Sequence, residues 1–202
     1  MLRCAITDGT ASSFVNSAQI EALQNRVRRW AADGIDFIQL REKQLDSGAL
    51  FALADAALRT LRDMNSSTKL MINARADVAI AVRARGVHLT SRPDELAPEQ
   101  VRELFIHAGL PAPVVGISCH TADDILRARG SRPDYVLFGP VVEKRIDGEL
   151  IAAGVGVDVL RHVCTLAHDI PVLALGGVTT ANTAAILAAG AAGVAGIRLF
   201  AR

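Results

Sequence analysis

The chain has 202 residues, of which 50% are hydrophobic and 21% are charged, and 22 Lys and Arg residues nearly balance 21 Asp and Glu residues. The formal charge of +1 argues against binding nucleic acid or a membrane surface through bulk charge. Aromatic residues make up only 4%, so small aliphatic residues must build the core, as in helices packed on buried parallel strands. We expect a single domain over residues 1–202.

The three cysteines, Cys4, Cys119 and Cys164, lie far apart and form no CxxC pair, so neither a disulfide framework nor a zinc site is indicated. The first ten residues carry no apolar run typical of a signal sequence. No segment reaches the roughly 18 apolar residues that span a membrane. We therefore expect a soluble, cytoplasmic protein without a membrane or nucleic-acid partner.

Eight short apolar segments, most of them followed by a longer stretch with helical spacing, run along the chain. The predicted strands are residues 3–7, 35–40, 69–73, 86–89, 114–118, 134–138, 171–175 and 193–197, and the predicted helices are residues 18–32, 47–64, 76–84, 97–107, 122–129, 157–167 and 181–189. Strands that are apolar on both faces and separated by helices form parallel sheets, and eight such units close into a (β/α)8 TIM barrel.

An open doubly wound sheet is the rival architecture, but no GxGxxG motif follows the first predicted strand, where the chain reads Thr7-Asp8-Gly9-Thr10. The strand count favours a small barrel. We expect the last barrel helix to be missing, because the sequence ends at Arg202, soon after the eighth strand. This flank is expected to be covered by a partner subunit, hence a homo-oligomer, by a rearranged N-terminal segment, or by a part of the protein that this sequence does not include.

Reactive groups in such a barrel lie at the carboxyl ends of the strands. Gln39, Arg41 and Lys43 alternate along the second strand and its continuation, so all three side chains are predicted to point into the barrel mouth and bind an anionic substrate. Arginine offers a planar fork and lysine a mobile charge, a pairing that suits phosphate or diphosphate. Asn73, at the end of the third strand, is predicted to face the same mouth.

Glycine-rich loops follow the last two predicted strands. Gly176 and Gly177 let the backbone approach a phosphate closely, and Gly196, Ile197 and Arg198 follow the eighth strand. Phosphate sites of these barrels often lie between those two loops. We predict that these five residues bind phosphate.

Two polar residues, Ser118 and His120, mark the end of the fifth predicted strand. Ser118 is predicted to contact the substrate, and His120 to be catalytic, since an imidazole transfers protons near neutral pH. No pair of carboxylates converges in the sequence, so no metal site and no cofactor are predicted.

Ordered motifs along nearly the whole chain resemble the thiamin phosphate synthase and TenI-like superfamily. In chain order they are Ile38-Gln39-Leu40-Arg41-Glu42-Lys43, Ile72-Asn73-Ala74-Arg75-Ala76-Asp77-Val78-Ala79, Gly86-Val87-His88-Leu89, Gly116-Ile117-Ser118-Cys119-His120, Asp134-Tyr135-Val136-Leu137-Phe138-Gly139-Pro140-Val141, Ala174-Leu175-Gly176-Gly177-Val178 and Gly190-Ala191-Ala192-Gly193-Val194-Ala195. The resemblance implies a barrel that takes a small-molecule thiazole phosphate at the glycine loops. In the synthase branch it implies that Gln39, Arg41 and Lys43 hold the diphosphate of an aminopyrimidine substrate.

The chain departs from the synthase pattern at the two acids that the resemblance implies as magnesium ligands. Ala74 stands in place of the first acid, and only a displaced Asp94 is near the second. The loop at residues 143–148 also differs from the synthase pattern.

These departures favour the TenI-like branch, in which a metal-independent thiazole tautomerase moves a proton with the histidine that matches His120. Two alternatives stay open: thiamin phosphate synthase, which would require Mg²⁺, and a non-catalytic binder of thiazole or thiamin phosphate. A Schiff-base aldolase is disfavoured, because residues 134–138 contain no lysine.

Overall fold

A computed structural model describes residues 1–9, 14–92, 94–146 and 149–201. Ten strands occur in chain order: β1 (Leu2–Ile6), β2 (Phe37–Leu40), β3 (Lys69–Asn73), β4 (Gly86–Leu89), β5 (Val114–Cys119), β6 (Tyr135–Phe138), β7 (Lys144–Ile146), β8 (Glu149–Ala152), β9 (Val172–Ala174) and β10 (Gly193–Gly196). All except β7 and β8 pair in parallel in the order β1-β2-β3-β4-β5-β6-β9-β10, and β10 pairs with β1. The predicted closed TIM barrel is confirmed.

Seven α-helices are present in the described part of the chain: α1 (Ser17–Ala32), α2 (Ser47–Asp63), α3 (Ala76–Ala81), α4 (Pro98–His107), α5 (Ala122–Ser131), α6 (Val157–Ala167) and α7 (Thr183–Ala188). Side-chain N-caps fix the first residues of two helices. The Asn16 side chain accepts a hydrogen bond from the Gln19 backbone N–H before α1, and the Asp46 side chain accepts one from the Ala49 backbone N–H before α2. Within the described ranges, no helix is both long and apolar enough to cross a membrane.

The barrel lumen is filled below its mouth by an apolar and aromatic layer. Phe37 stacks on Tyr135 with ring centroids 5.0 Å apart, and Cys4 and Met71 are buried in the same cluster. Gly116 makes room for the tyrosine ring, because an added Cβ there would lie 2.2 Å from Tyr135 Cζ. This packing makes the lower lumen solid, as in other barrels of this type, and leaves the chemistry to the carboxyl ends of the strands.

The sequence analysis missed an antiparallel hairpin, formed by β7 and β8, between β6 and α6. Its first strand, Lys-Arg-Ile, has no apolar alternation that could have marked it as a strand. Part of the loop whose sequence differs from the synthase pattern, residues 147 and 148, lies outside the described residues. The chain between two barrel strands therefore carries more structure than a single crossover helix.

The segment after β10 is a 3-10 turn, Arg198–Phe200, and no further helix follows it among residues 149–201. Phe200 packs against both large clusters outside the barrel. The missing eighth helix is thus in line with the prediction. A partner subunit over this flank stays a prediction.

Candidate active site

The predicted site residues lie at the carboxyl ends of the barrel strands. Two cavities at this end have no lining residue in common, and a third, of about 250 Å³, has Ser118 in its lining. The first cavity, of about 410 Å³, lies over β2, β3 and β4. Its lining residues are Glu42, Lys43, Leu45, Leu50, Asn73, Ala74, Arg75, Thr90, Arg92, Asp94 and Glu95. Of the predicted substrate-binding residues, Lys43 and Asn73 meet here.

The second cavity, of about 530 Å³, lies over β9, β10 and the loop after β1. All five predicted phosphate-binding residues line it, and the full set is Asp8, Glu143, Leu175, Gly176, Gly177, Val178, Thr179, Ala195, Gly196, Ile197, Arg198 and Leu199. The five residues predicted to bind phosphate therefore lie together, and phosphate binding itself stays a prediction.

The glycines after β9 are required by their backbone conformation and by their neighbours. Gly176 has φ +90° and Gly177 has φ +63°. An added Cβ would lie 2.6 Å from Pro140 Cα in the first case and 2.4 Å from the Val142 carbonyl oxygen in the second. Any side chain would thus collide with the segment after β6. Only glycine keeps this wall of the second cavity where it is.

Unpaired backbone N–H groups make the second cavity suitable for an anion. The amides of Gly177, Val178 and Arg198 have no hydrogen-bond acceptor among the described residues. The Arg198 side chain is exposed and has no ion-pair partner within the same ranges. Successive amides in a turn, together with a cation, form a concavity that binds phosphate.

The helix start that was expected to help bind phosphate lies further along the chain. It was predicted at residue 181, but α7 begins at Thr183 and has only six residues. Thr179 and Asn182 instead close a turn, in which the Thr179 N–H donates to Asn182 Oδ1 and the Asn182 Nδ2 donates to the Gly177 carbonyl. These side-chain bonds fix the glycine loop.

Arg41 lies between the two cavities. An added Cβ at Gly9 would be 4.0 Å from Arg41 Nη1, and Asp8, the preceding residue, lines the second cavity. Lys43, two residues beyond Arg41, lines the first cavity. Gln39 is 2% exposed, and its Nε2 has no hydrogen-bond partner among the described residues. A buried unsatisfied donor is costly, so this amide is suited to bind a ligand atom.

His120 is exposed at the end of β5 and lines neither cavity. Its Nδ1 is 2.5 Å from the carbonyl oxygen of Gly139, and its backbone N–H donates to Asp124 Oδ2 at 2.8 Å. Because a carbonyl only accepts, Nδ1 donates this hydrogen bond. The catalytic role of His120 stays a prediction.

His88 is a buried polar group in the lumen, and both of its ring nitrogens lie within hydrogen-bond distance of a hydroxyl. Its Nε2 lies 2.9 Å from Ser118 Oγ, and its Nδ1 lies 3.2 Å from the Tyr135 hydroxyl. Burial lowers the pKa of His88 to about 3, so the ring is neutral. Ser118 was predicted to contact substrate, and its hydroxyl is bonded to this histidine.

Of the three carboxylates that line the first cavity, Glu42, Asp94 and Glu95, the two that follow β4 are held by protein groups and do not fit a magnesium site. Ala74 offers no ligand, and Asp94 is bound in a fork by Arg92, with distances of 3.0 Å to Nε and 2.6 Å to Nη2. Glu95 accepts from the backbone and the hydroxyl of Thr90. In the described ranges no three His, Cys, Asp or Glu side chains come together as metal ligands. Mg²⁺ prefers several converging oxygens.

A parallel β/α barrel with cavities at the carboxyl ends of its strands is typical of enzymes that bind small molecules, often phosphates, at that face. The family model described as thiamine monophosphate synthase matches residues 5–200. The chain therefore belongs to the thiamine monophosphate synthase family.

Curated relatives carry the synthase name. A putative thiamine-phosphate synthase of Geobacter sulfurreducens is 40% identical over 167 residues, 81% of this chain and 72% of the relative. The thiamine-phosphate synthase of Caldanaerobacter subterraneus is 33% identical over 96% of this chain and 83% of its own. The solved structure of thiamine phosphate pyrophosphorylase from Pyrococcus furiosus superposes with a TM-score of 0.73 at 25% identity, covering 97% of this chain and 85% of that one.

These names correct the expectation of a thiazole tautomerase. Relatives at 33% to 40% identity are named as synthases, which are transferases, and none of those described above is named as an isomerase. The preference for the tautomerase rested on two missing acids, and the loss of metal ligands does not by itself change the reaction class. The synthase, kept above as an alternative, is the better supported reading.

Proposed function

We propose that this protein is a thiamine-phosphate synthase that joins an aminopyrimidine diphosphate to a thiazole phosphate. The observation that carries the proposal is the pair of separate cavities at the same end of the barrel, one lined by three cations and three carboxylates and one lined by glycine amides. An enzyme that joins two phosphorylated substrates needs two anion sites close together, whereas an isomerase of one phosphorylated substrate needs one. The names of the relatives support the same reaction.

Each substrate has a suitable cavity. The thiazole phosphate binds in the second cavity through the backbone N–H groups of Gly177 and Val178 and the guanidinium of Arg198. The diphosphate binds in the first cavity near Lys43 and Asn73. We assign Arg41 and the unpartnered amide of Gln39, which line neither cavity, to the groups that react.

The reaction breaks the bond between the pyrimidine methylene carbon and the diphosphate oxygen. The thiazole nitrogen forms a new bond to that carbon, so pyrophosphate leaves and a thiazolium cation is the product. No proton is released, so the step needs charge stabilisation and orientation more than a general base. Lys43 and Arg41 would stabilise the negative charge that develops on the leaving pyrophosphate.

The test supplies both substrates to the purified protein and measures thiamine phosphate and pyrophosphate, which should appear in equal amounts. Arg198→Gln should raise KM for the thiazole phosphate by about tenfold and leave KM for the diphosphate unchanged. Lys43→Gln should raise KM for the diphosphate by about tenfold and leave KM for the thiazole phosphate unchanged.

Lys69→Gln is the matched control for these two variants, because Lys69 begins β3 at the opposite end of the barrel and its Nζ lies 5.6 Å from the Phe37 ring centroid. Absence of thiamine phosphate under all conditions would refute the proposal. Tight binding of both ligands without turnover would support the non-catalytic binder instead.

Localisation and assembly remain expectations. All three cysteines are free, and Cys4 and Cys119 are buried, which suits the reducing cytoplasm. A homo-oligomer would cover the flank that lacks an eighth helix.

A further inference from the structure

Three cations line the first cavity, and two of them share an unusual local arrangement. Arg75 binds Asp77 through Nε at 2.9 Å and Nη2 at 2.6 Å, and Arg92 binds Asp94 in the same two-pronged way. In each case the aspartate is two residues further along the chain. Lys43 has no ion-pair partner among the described residues.

The pair of Arg92 and Asp94 is open to exchange. Their side chains are 70% and 68% exposed, and surface ion pairs of this kind contribute little to stability. A diphosphate offers an arginine fork more charge and more acceptor oxygens than one carboxylate does. A diphosphate entering the cavity can therefore replace Asp94 on Arg92 without disturbing the fold.

Arg75 is held more firmly than Arg92. Besides its bonds to Asp77, its Nη2 donates to Ser47 Oγ at 2.5 Å, and the side chain is 32% exposed. The pKa of Asp77 is held below its usual range by the hydrogen bonds from Arg75. Arg75 is thus a fixed cation in the cavity lining. Arg92, in contrast, can exchange its carboxylate partner for a ligand.

The positions that could have supplied metal ligands carry no free carboxylate. Ala74 lies at φ +56°, a left-handed conformation that Asp and Asn adopt more readily than Ala does. The backbone at this position would accept an aspartate, yet the side chain is a methyl group. Lys43, Arg75 and Arg92 supply three cations to this cavity, whose lining also holds Glu42, Asp94 and Glu95.

We propose that Lys43, Arg75 and Arg92 bind the diphosphate group of the substrate directly, with Arg92 exchanging Asp94 for diphosphate oxygens, so that diphosphate binding needs no divalent cation. This inference rests on the proposed function, which makes a diphosphate ester the ligand of the first cavity. Arg92 is then a binding residue that the sequence analysis did not identify.

Calorimetry with inorganic pyrophosphate tests the inference without any turnover. The Kd of the purified protein should agree within about threefold between buffer with EDTA and buffer with Mg²⁺. Arg92→Gln should weaken binding in EDTA by about tenfold, as expected for loss of a charged hydrogen bond. Arg161→Gln is the matched control, because this α6 arginine also pairs with a nearby aspartate, Asp158, and lines neither cavity.

A second variant, Ala74→Asp, introduces the acid that the synthase pattern has at this position. Its added carboxylate should weaken pyrophosphate binding in EDTA at least threefold and make binding respond to Mg²⁺, while the positive φ should accept the new side chain. Pyrophosphate binding by the unchanged protein only when Mg²⁺ is present, or an Arg92→Gln affinity equal to that of the control, would overturn the inference.

The same data separate the inference from the proposed function. Formation of thiamine phosphate together with strictly Mg²⁺-dependent pyrophosphate binding would overturn the inference and leave the synthase in place. Metal-independent pyrophosphate binding, lost in Arg92→Gln, without any thiamine phosphate would support the cation site and refute the synthase.

Discussion

The indole Nε1 of Trp30 donates a hydrogen bond of 2.7 Å to the carbonyl oxygen of Phe200. This contact joins α1, the first helix of the ring, to the 3-10 turn that follows the last strand. Trp30 is 2% exposed, and the Arg26 guanidinium lies 5.9 Å from its ring centroid. The turn begins at Arg198, which lines the second cavity, so the contact joins α1 to the turn that borders this cavity.

Trp30→Phe should lower the free energy of unfolding by about 1–3 kcal/mol, because the partly buried Phe200 carbonyl loses its donor and the smaller ring leaves a gap. Urea unfolding followed by far-UV circular dichroism measures this, since the variant lacks the one tryptophan of the chain. Phe51→Leu, at a 41% exposed aromatic position, is the control and should change stability little. Equal stabilities for Trp30→Phe and the unchanged protein would contradict this assignment.

Gly177→Ala should abolish phosphate binding at the second cavity, since an added Cβ meets the Val142 carbonyl oxygen at 2.4 Å. Gly109→Ala is a matched control with φ +69° and no atom within 4 Å of an added Cβ. Both variants should lose roughly 1 kcal/mol of the free energy of unfolding, because alanine adopts the left-handed conformation less readily than glycine does. Only Gly177→Ala should lose more, because its Cβ also collides with the backbone. Thermal unfolding and thiazole phosphate titration measure the two effects. Full phosphate affinity in Gly177→Ala would rule out the glycine loop as the phosphate site.

The proposed synthase reaction gives His120 no proton to transfer, unlike the tautomerase reaction for which the sequence predicted its catalytic role. Joining the substrates releases no proton, so His120→Asn, which keeps a donor near the Gly139 carbonyl, should reduce kcat by less than about tenfold. General acid or base catalysis contributes roughly a hundredfold or more. A loss of that size in kcat, or a changed dependence of kcat on pH between 6 and 8, would establish His120 as a proton-transfer residue.

His88 should make the fold sensitive to acid. Its pKa is lowered to about 3 by burial, whereas an unfolded histidine titrates near 6.5. Between these values the unfolded chain binds more protons, so the stabilisation from the neutral ring is complete above pH 6.5 and is lost as the pH falls toward 3.

Replacing this histidine should therefore flatten the dependence of stability on pH. In His88→Gln the slope between pH 6 and 4 should decrease by up to about 1.4 kcal/mol per pH unit, as measured by urea unfolding at each pH. His162→Gln, at an exposed site on α6, should leave the slope unchanged. Parallel curves for His88→Gln and the unchanged protein would show that His88 is not held neutral.

Much of the site followed from periodicity in the sequence. Gly177 and Arg198 stand after two predicted strands, and parallel strands in a closed barrel bring their carboxyl ends to one face, so the prediction that they share a cavity is correct. Asn73 and Lys43 meet for the same reason. The hairpin of β7 and β8 escaped prediction, because its short, partly charged strands pair with each other and not with the barrel.

The sequence by itself determined the barrel, the family resemblance and the carboxyl-end location of the polar residues, because strand alternation and strand order are local properties that add up around a closed sheet. Only the tertiary structure decided that the cations and the glycine loops line two cavities, that Arg92 is closed on Asp94, and that His88 is bonded to Ser118 and Tyr135. These outcomes depend on where side chains from different strands end, which loop geometry and packing fix and residue spacing does not.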